Sequence, residues 1–265
     1  MINKVDGNIP EHIRIFSEEL VRRLDNFPSG SIAGAYIHGS LTYGGYIRER
    51  SDVDILIIVN DTFLEESIRG LSDILKDLSK QYPQETKNTE LDVINEREVS
   101  SLSPTITSVA KFAGGNFSEK SEKIDGFWIE LANVRMNGIV LAGSNPQNII
   151  PEIGKDFLIR ANREKFESLR STAEKWEKID LWNQTYILVQ SSRVLYSLFN
   201  DLQLTSKQNA LAWAVENAPE RFKEMLQVAS EKLDNWRGPR EQVISDNYLE
   251  YLEYIESELQ KREQV

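Results

Sequence analysis

His38-Gly39-Ser40 is followed by a loop bearing Gly44 and Gly45 and then by Ser51-Asp52-Val53-Asp54-Ile55-Leu56-Ile57-Ile58-Val59. Ile55 to Val59 is an unbroken, largely β-branched apolar run, the composition of a buried strand. Two carboxylates stand at its head. Side chains alternate across a strand, so Asp52 and Asp54 are expected on one side, roughly 6.5–7 Å apart. A pair so placed suits a hard divalent cation such as Mg²⁺, which usually takes one or two carboxylates together with substrate phosphates. An isolated Asp-x-Asp more often merely caps a strand or closes a turn, and the upstream residues shift that balance. Ser31 to His38 reads as another strand, and Gly39 lets the backbone turn sharply at its end. Ser40 then offers a hydroxyl and a backbone N–H to an anion.

Around this stretch the first half of the chain alternates helix and strand. Residues 10 to 24 open with Pro10 and space Ile13, Phe16, Leu20 and Leu24 at helical intervals, which predicts an amphipathic helix. Thr62-x-x-Glu65 reads as a capping box for a helix whose apolar face is Leu64, Ile68, Leu71, Leu75 and Leu78. Glu90-Leu91-Asp92-Val93-Ile94 is the next strand, with Glu90 and Asp92 on one face. Residues 100 to 126, polar and holding Gly114-Gly115, are expected to form an irregular segment beside the site. Phe127 to Asn137 is then helical and Ile139 to Ala142 a last strand; both are expected to build core.

From about residue 151 only helical patterns remain: Leu158 to Ile179, Leu181 to Leu202, Gln208 to Asn217, Glu220 to Leu233 and Tyr248 to Leu259. A helical bundle follows. On the helix from Leu181, the residues Leu188, Leu195, Leu198, Phe199 and Leu202 mark an apolar side; Asn183, Tyr186, Gln190, Arg193 and Ser197 mark a polar one that meets solvent or lines a site. Thr205-x-x-Gln208 reads as a capping box placing Lys207 in the first helical turn, where a cation opposes the helix dipole unless an anion is held there too. A lysine curling into water is the alternative.

Composition narrows the function classes. The chain has 265 residues, 40% of them hydrophobic, enough for two domains with their own cores. No cysteine is present, which removes disulfides, thiol catalysis and cysteine-based zinc sites. Two histidines, His12 and His38, leave little for a histidine-built metal centre. A net charge of −11 argues against broad nucleic-acid binding and tilts slightly toward a cationic guest. No long apolar span and no basic-then-apolar start (Met1 to Gly7) are found, so a cytoplasmic protein without a membrane partner is expected.

The pattern Gly39-Ser40…Ser51-Asp52-Val53-Asp54 with an acid on a later strand resembles the nucleotidyltransferase superfamily of the DNA polymerase β type. Glu90-Leu91-Asp92-Val93-Ile94-Asn95 is similar to the third-acid strand of its streptomycin/spectinomycin (aminoglycoside) adenylyltransferases, Glu-x-x-Val-Ile-Asn. The tract Glu130-Leu131-Ala132…Gly138 to Gly143 resembles the end of their first domain. Ser206-Lys207-Gln208-Asn209-Ala210-Leu211-Ala212-Trp213-Ala214 matches their Ser-Lys-x-x-Ala-x-x-Trp-Ala, with Arg193 upstream. The likeness runs from about residue 30 to about 220. It departs at Asn183-Gln184-Thr185-Tyr186, where the group carries Asp-Glu-Arg-Asn, and between Ser100 and Ile124, where an aromatic-rich segment is missing.

The resemblance implies an α/β (α+β) nucleotidyltransferase domain with a mixed sheet, residues 1–150, then an all-α helical bundle, residues 151–265, that completes the nucleotide and acceptor site. It implies Mg²⁺ on Asp52, Asp54 and Glu90, with ATP as co-substrate held by Gly39, Ser40, Ser51, Arg193 and Lys207. Glu90 is the first choice for the base and Asp92 the second. The expected reaction moves AMP to a hydroxyl of a small acceptor, an aminoglycoside or aminocyclitol, with release of pyrophosphate. A protein or another metabolite as acceptor, or a nucleotide-binding protein without turnover, are the alternatives.

Overall fold

The computed structural model describes residues 9–28, 31–48, 50–63, 65–119, 122–175, 180–234, 244 and 247–263. The chain divides into two units, Met1–Glu152 and Ile153–Val265.

The first unit begins with helix α1 (Glu11–Leu24) and is built on a mixed sheet. Its strands are β1 (Ile32–His38), β2 (Val53–Val59), β3 (Thr89–Asn95), β4 (Ile106–Ala113), β5 (Asn116–Ser118), β6 (Glu122–Ile124) and β7 (Ile139–Gly143). They run in the order β5-β4-β3-β2-β1-β7, with β6 also on β4. β2 and β3 are parallel, joined through α2 (Glu65–Gln81) and α3 (Pro83–Lys87). The other pairings are antiparallel. Short α4 (Glu96–Ser100), α5 (Phe127–Asn137) and α6 (Pro146–Ile149) complete the unit.

Both faces of β2 are covered, which is why its apolar run is continuous. Val53, Ile55, Ile57 and Val59 join one core with Phe16 and Leu20 of α1 and with Leu71, Leu75 and Leu78 of α2. Each of these side chains contributes about 1.5–3 kcal/mol on full burial. Leu56 and Ile58, on the opposite face, are also fully buried. α5 and α6 lie against β1, and α4 against β3 and β4.

Two expectations fail in this unit. Residues 100 to 126 are not irregular: they hold β4, β5 and β6. β4 alternates buried and less buried residues, with Ile106, Ser108, Ala110 and Phe112 inward, and Gly114-Gly115 at φ +57° and +81° form the turn into β5. Thr62 is no helix cap either; its N–H and hydroxyl both donate to Asn60 Oδ1, at 2.9 and 2.6 Å, in a turn before α2. Leu64, the first residue of the expected apolar face, lies outside the described residues.

The second unit contains α7 (Lys155–Lys175), α8 (Leu181–Phe199), α9 (Lys207–Asn217), a 3₁₀ turn Glu220–Phe222 leading into α10 (Lys223–Asp234), and α11 (Tyr248–Glu263). The tail of the first expected helix, residues 176–179, lies outside the described residues. α8 packs against α7, α9, α10 and α11, so its two-sided division does not hold. Ser197, expected on the open side, is buried and receives Asn162 Nδ2 at 3.2 Å, whereas Phe199, expected in the core, is 44% exposed under Arg262. The helix also ends before Leu202, because Asp201 and Leu202 take positive φ. At α9 the cap is Ser206, not Thr205: its hydroxyl oxygen accepts the Asn209 N–H at 3.1 Å. Among the described residues no helix is long and apolar enough to cross a membrane.

Candidate active site

Strand register brings the site together. His38 pairs with Asp54 across β1 and β2, and Asp54 pairs with Glu90 across β2 and β3. Adjacent strands lie about 4.8 Å apart, and residues in one row share a face. His38, Asp54 and Glu90 therefore form one line across three strands. Asp52 stands one residue before β2 and is exposed, as is Glu90; Asp54 is half-buried.

The next row inward contains Tyr36, Leu56, Asp92 and Lys111. Asp92 is flanked by an apolar neighbour and a cation, and its Oδ1 is enclosed without a hydrogen-bond partner. Burial pushes its carboxyl above the ordinary carboxylate range, against the pull of Lys111. Asp92 is half-buried in the inner row, while Glu90 is exposed in the outer row beside Asp54.

The turn after β1 is shaped around Asp54. Gly39 sits at φ +66°, and a Cβ there would stand 1.8 Å from Asp54 Oδ2. The carboxylate thus lies directly on the turn. Gly39, Ser40 and Leu41 form a 3₁₀ turn, tied down by the Thr42 hydroxyl, which donates to the Gly39 carbonyl at 2.8 Å. Asn133 of α5 donates in turn to Thr42 Oγ1 at 3.2 Å. Ser40 Oγ is enclosed and has no hydrogen-bond partner. The Ser51 hydroxyl oxygen accepts the Ile47 N–H at 2.9 Å and closes the loop before β2, an acceptor role that leaves its own proton to donate.

Among the described residues no three His, Cys, Asp or Glu side chains form a group that could hold a metal ion. The donor set is nonetheless all oxygen, two carboxylates adjacent in register and a third nearby, and Mg²⁺ keeps several waters and substrate phosphates as ligands. The residues fit such an ion shared with a substrate better than an all-protein cage.

In the second unit, Arg193 Nε donates to the Thr205 carbonyl at 3.2 Å and Nη1 to Gln190 Oε1 at 3.3 Å. Lys207, exposed, opens α9 two residues beyond Thr205. The structure therefore ties Arg193 to the segment that leads into α9 and Lys207.

Sequence reasoning passed over His38 and Glu130. His38 is buried, and its Nδ1 lies 3.9 Å from Glu130 Oε2 on α5. Burial lowers its pKa, opposed by the Glu130 and Asp92 carboxylates. The signal available was parity: a histidine one residue before Gly39 shares the face of Asp54.

Residues 13–112 match the nucleotidyltransferase domain family, and residues 149–259 match the family described as the C-terminal domain of aminoglycoside adenylyltransferase. Spectinomycin 9-adenylyltransferase of Campylobacter jejuni is 26% identical over 244 residues, 88% of this chain and 90% of the relative. The protein of that name from Staphylococcus aureus strain Mu50 is 27% identical, over 90% of this chain and 92% of its own. The spectinomycin adenyltransferase of Enterococcus faecialis, solved with ATP and spectinomycin, shares the fold at a TM-score of 0.70 and 17% identity, covering 94% of this chain and 98% of that one. With its acids, turn and bundle in this order, the chain is a nucleotidyltransferase resembling the aminoglycoside adenylyltransferases.

Proposed function

We propose that this enzyme transfers AMP from ATP to a hydroxyl of an aminocyclitol or aminoglycoside and releases pyrophosphate. The observation that carries the proposal is the row in which Asp54, lying on the Gly39–Ser40 turn, has Glu90 beside it on the next strand. The names of the curated relatives support the acceptor class.

Asp52, Asp54 and Glu90 would hold Mg²⁺, which supplies charge neutralisation at the phosphoryl group and a template for its ligands. Gly39 brings its backbone close to the phosphates and Ser40 turns its hydroxyl to them. Arg193 and Lys207 are assigned to the phosphates as charged donors. Ser51 acts by holding the loop that presents Asp52. Glu90 takes the proton of the acceptor hydroxyl as its oxygen attacks the α-phosphorus; the bond to the bridging oxygen breaks and pyrophosphate leaves. The protein's contribution is mainly positioning and electrostatics.

The test is pyrophosphate release with Mg²⁺ and ATP across spectinomycin, streptomycin and related aminocyclitols, with Asp54→Asn as the blank. Release with one compound is expected, and Asp54→Asn should lose several kcal/mol of transition-state stabilisation, about a thousandfold in rate. A full rate in Asp54→Asn would overturn the assignment. One observation favours a second reading. In Asn183-Gln184-Thr185-Tyr186 the middle two residues are buried, Gln184 accepting the Ile244 N–H and Thr185 donating to Leu181. That segment presents no carboxylate to a cationic drug. Silence from every compound together with Mg²⁺-dependent ATP binding would direct the search to a protein or another metabolite as acceptor.

A further inference from the structure

α5 meets the Gly39–Ser40 turn at two points one helical turn apart. Asn133 reaches it through Thr42, whose hydroxyl bonds the Gly39 carbonyl. Glu130, three residues earlier on the same helix face, reaches the residue before the turn. His38 is only 7% exposed, and its Nδ1 is enclosed with no hydrogen-bond partner. The charged oxygen facing that nitrogen is Glu130 Oε2, at 3.9 Å. A neutral imidazole carries its proton on one nitrogen only, and an enclosed Nδ1 beside a carboxylate is stabilised as the donor.

We propose that the Glu130 carboxylate, which stands 3.9 Å from His38 Nδ1, closes to hydrogen-bond distance and accepts its proton, and that this pair, together with Asn133, positions the Gly39–Ser40 turn to receive nucleotide phosphate. The tautomer tests the contact by itself; its effect on nucleotide binding rests on the function proposed above. His38 and Glu130 are positioning residues. They act through Gly39, whose backbone abuts the Asp54 carboxylate, and through Ser40.

With two histidines in the chain, the first half is read directly by a long-range ¹H–¹⁵N correlation spectrum of the labelled full-length protein, assigned with His38→Asn. His38 is expected as the Nδ1–H tautomer, and Glu130→Leu is expected to move the proton to Nε2. A proton on Nε2 in the unsubstituted protein, or a tautomer indifferent to Glu130→Leu, overturns the hydrogen bond. The second half is read from Mg²⁺-ATP binding and steady-state kinetics. His38→Asn keeps an amide donor near the position of Nδ1 and should hold the KM for ATP within about threefold. His38→Leu and Glu130→Leu should each raise it at least about tenfold with a smaller change in kcat, and the double variant should be no worse than either. Melting curves check that both His38 variants remain folded. A normal KM for ATP in His38→Leu overturns the positioning role even where the spectrum shows the bond. If the unsubstituted protein binds no nucleotide, the functional reading and the positioning role fall together, and the tautomer alone still decides the bond.

Discussion

Gly39 leaves no room for a side chain. Its φ of +66° disfavours any L-residue, and a Cβ would overlap Asp54 Oδ2. Gly39→Ala should therefore move either the turn or the carboxylate, and displacements of about 1 Å cost roughly a hundredfold in activity. Circular dichroism should still show the folded protein; activity within a few-fold of normal would mean that Asp54 is not held against the turn as described. A second prediction concerns acid stability. Glu19 receives Arg22 and Arg23, and their hydrogen bonds bring its pKa from 4.5 down to about 2. A lowered carboxylate pKa stabilises the fold above the unfolded value and loses that contribution as pH falls from about 4.5 toward 2. The melting curves of the protein and of Glu19→Gln should accordingly differ at neutral pH and converge on acidification across this window. Legibility at this scale followed chain distance. Asp52 and Asp54 are two residues apart, and strand alternation relates such near neighbours, so the sequence itself proposes them as a pair. His38 and Glu130 meet only through the packing of α5 against β1, and no local pattern announces that contact.

Elements with a clean period were read correctly. α1 showed its apolar spacing, and β2 its unbroken run. β4 was missed because two of its four inward residues are Ser108 and Ala110, too small or polar to register as an apolar alternation. Phe112, buried to 1% exposure, and the glycine turn that follows were the remaining cues. The cap of α9 illustrates the same limit. Thr205 and Ser206 are both plausible caps by type, and only the chain direction decides which oxygen meets the free N–H groups. Ser206→Ala should cost roughly 1 kcal/mol in urea unfolding of the second unit, as for other lost caps. Thr205→Val should cost less; the opposite ranking would reassign the cap and shift Lys207 by one position along the helix start.

At the scale of the whole molecule, each unit has its own core. Ile55, Ile57 and Leu75 belong to one cluster and Leu188, Leu195 and Tyr251 to another. Groups assigned to the triphosphate come from both: Gly39 and Ser40 from the first unit, Arg193 and Lys207 from the second. A ligand at a hundred times its dissociation constant stabilises the form that binds it by about 2.7 kcal/mol, and amide exchange shows which segments share that stabilisation. Mg²⁺-ATP is expected to slow exchange both in the Gly39–Leu41 turn and in the first turn of α9, by up to roughly a hundredfold. In Arg193→Ala or Lys207→Ala the protection of α9 should vanish while that of Gly39–Leu41 is reduced but visible. Protection confined to the first unit in the unsubstituted protein would assign the nucleotide to that unit alone. Arg193 and the start of α9 would then be packing features, as the hydrogen bond from Arg193 to the Thr205 carbonyl already permits in the absence of nucleotide.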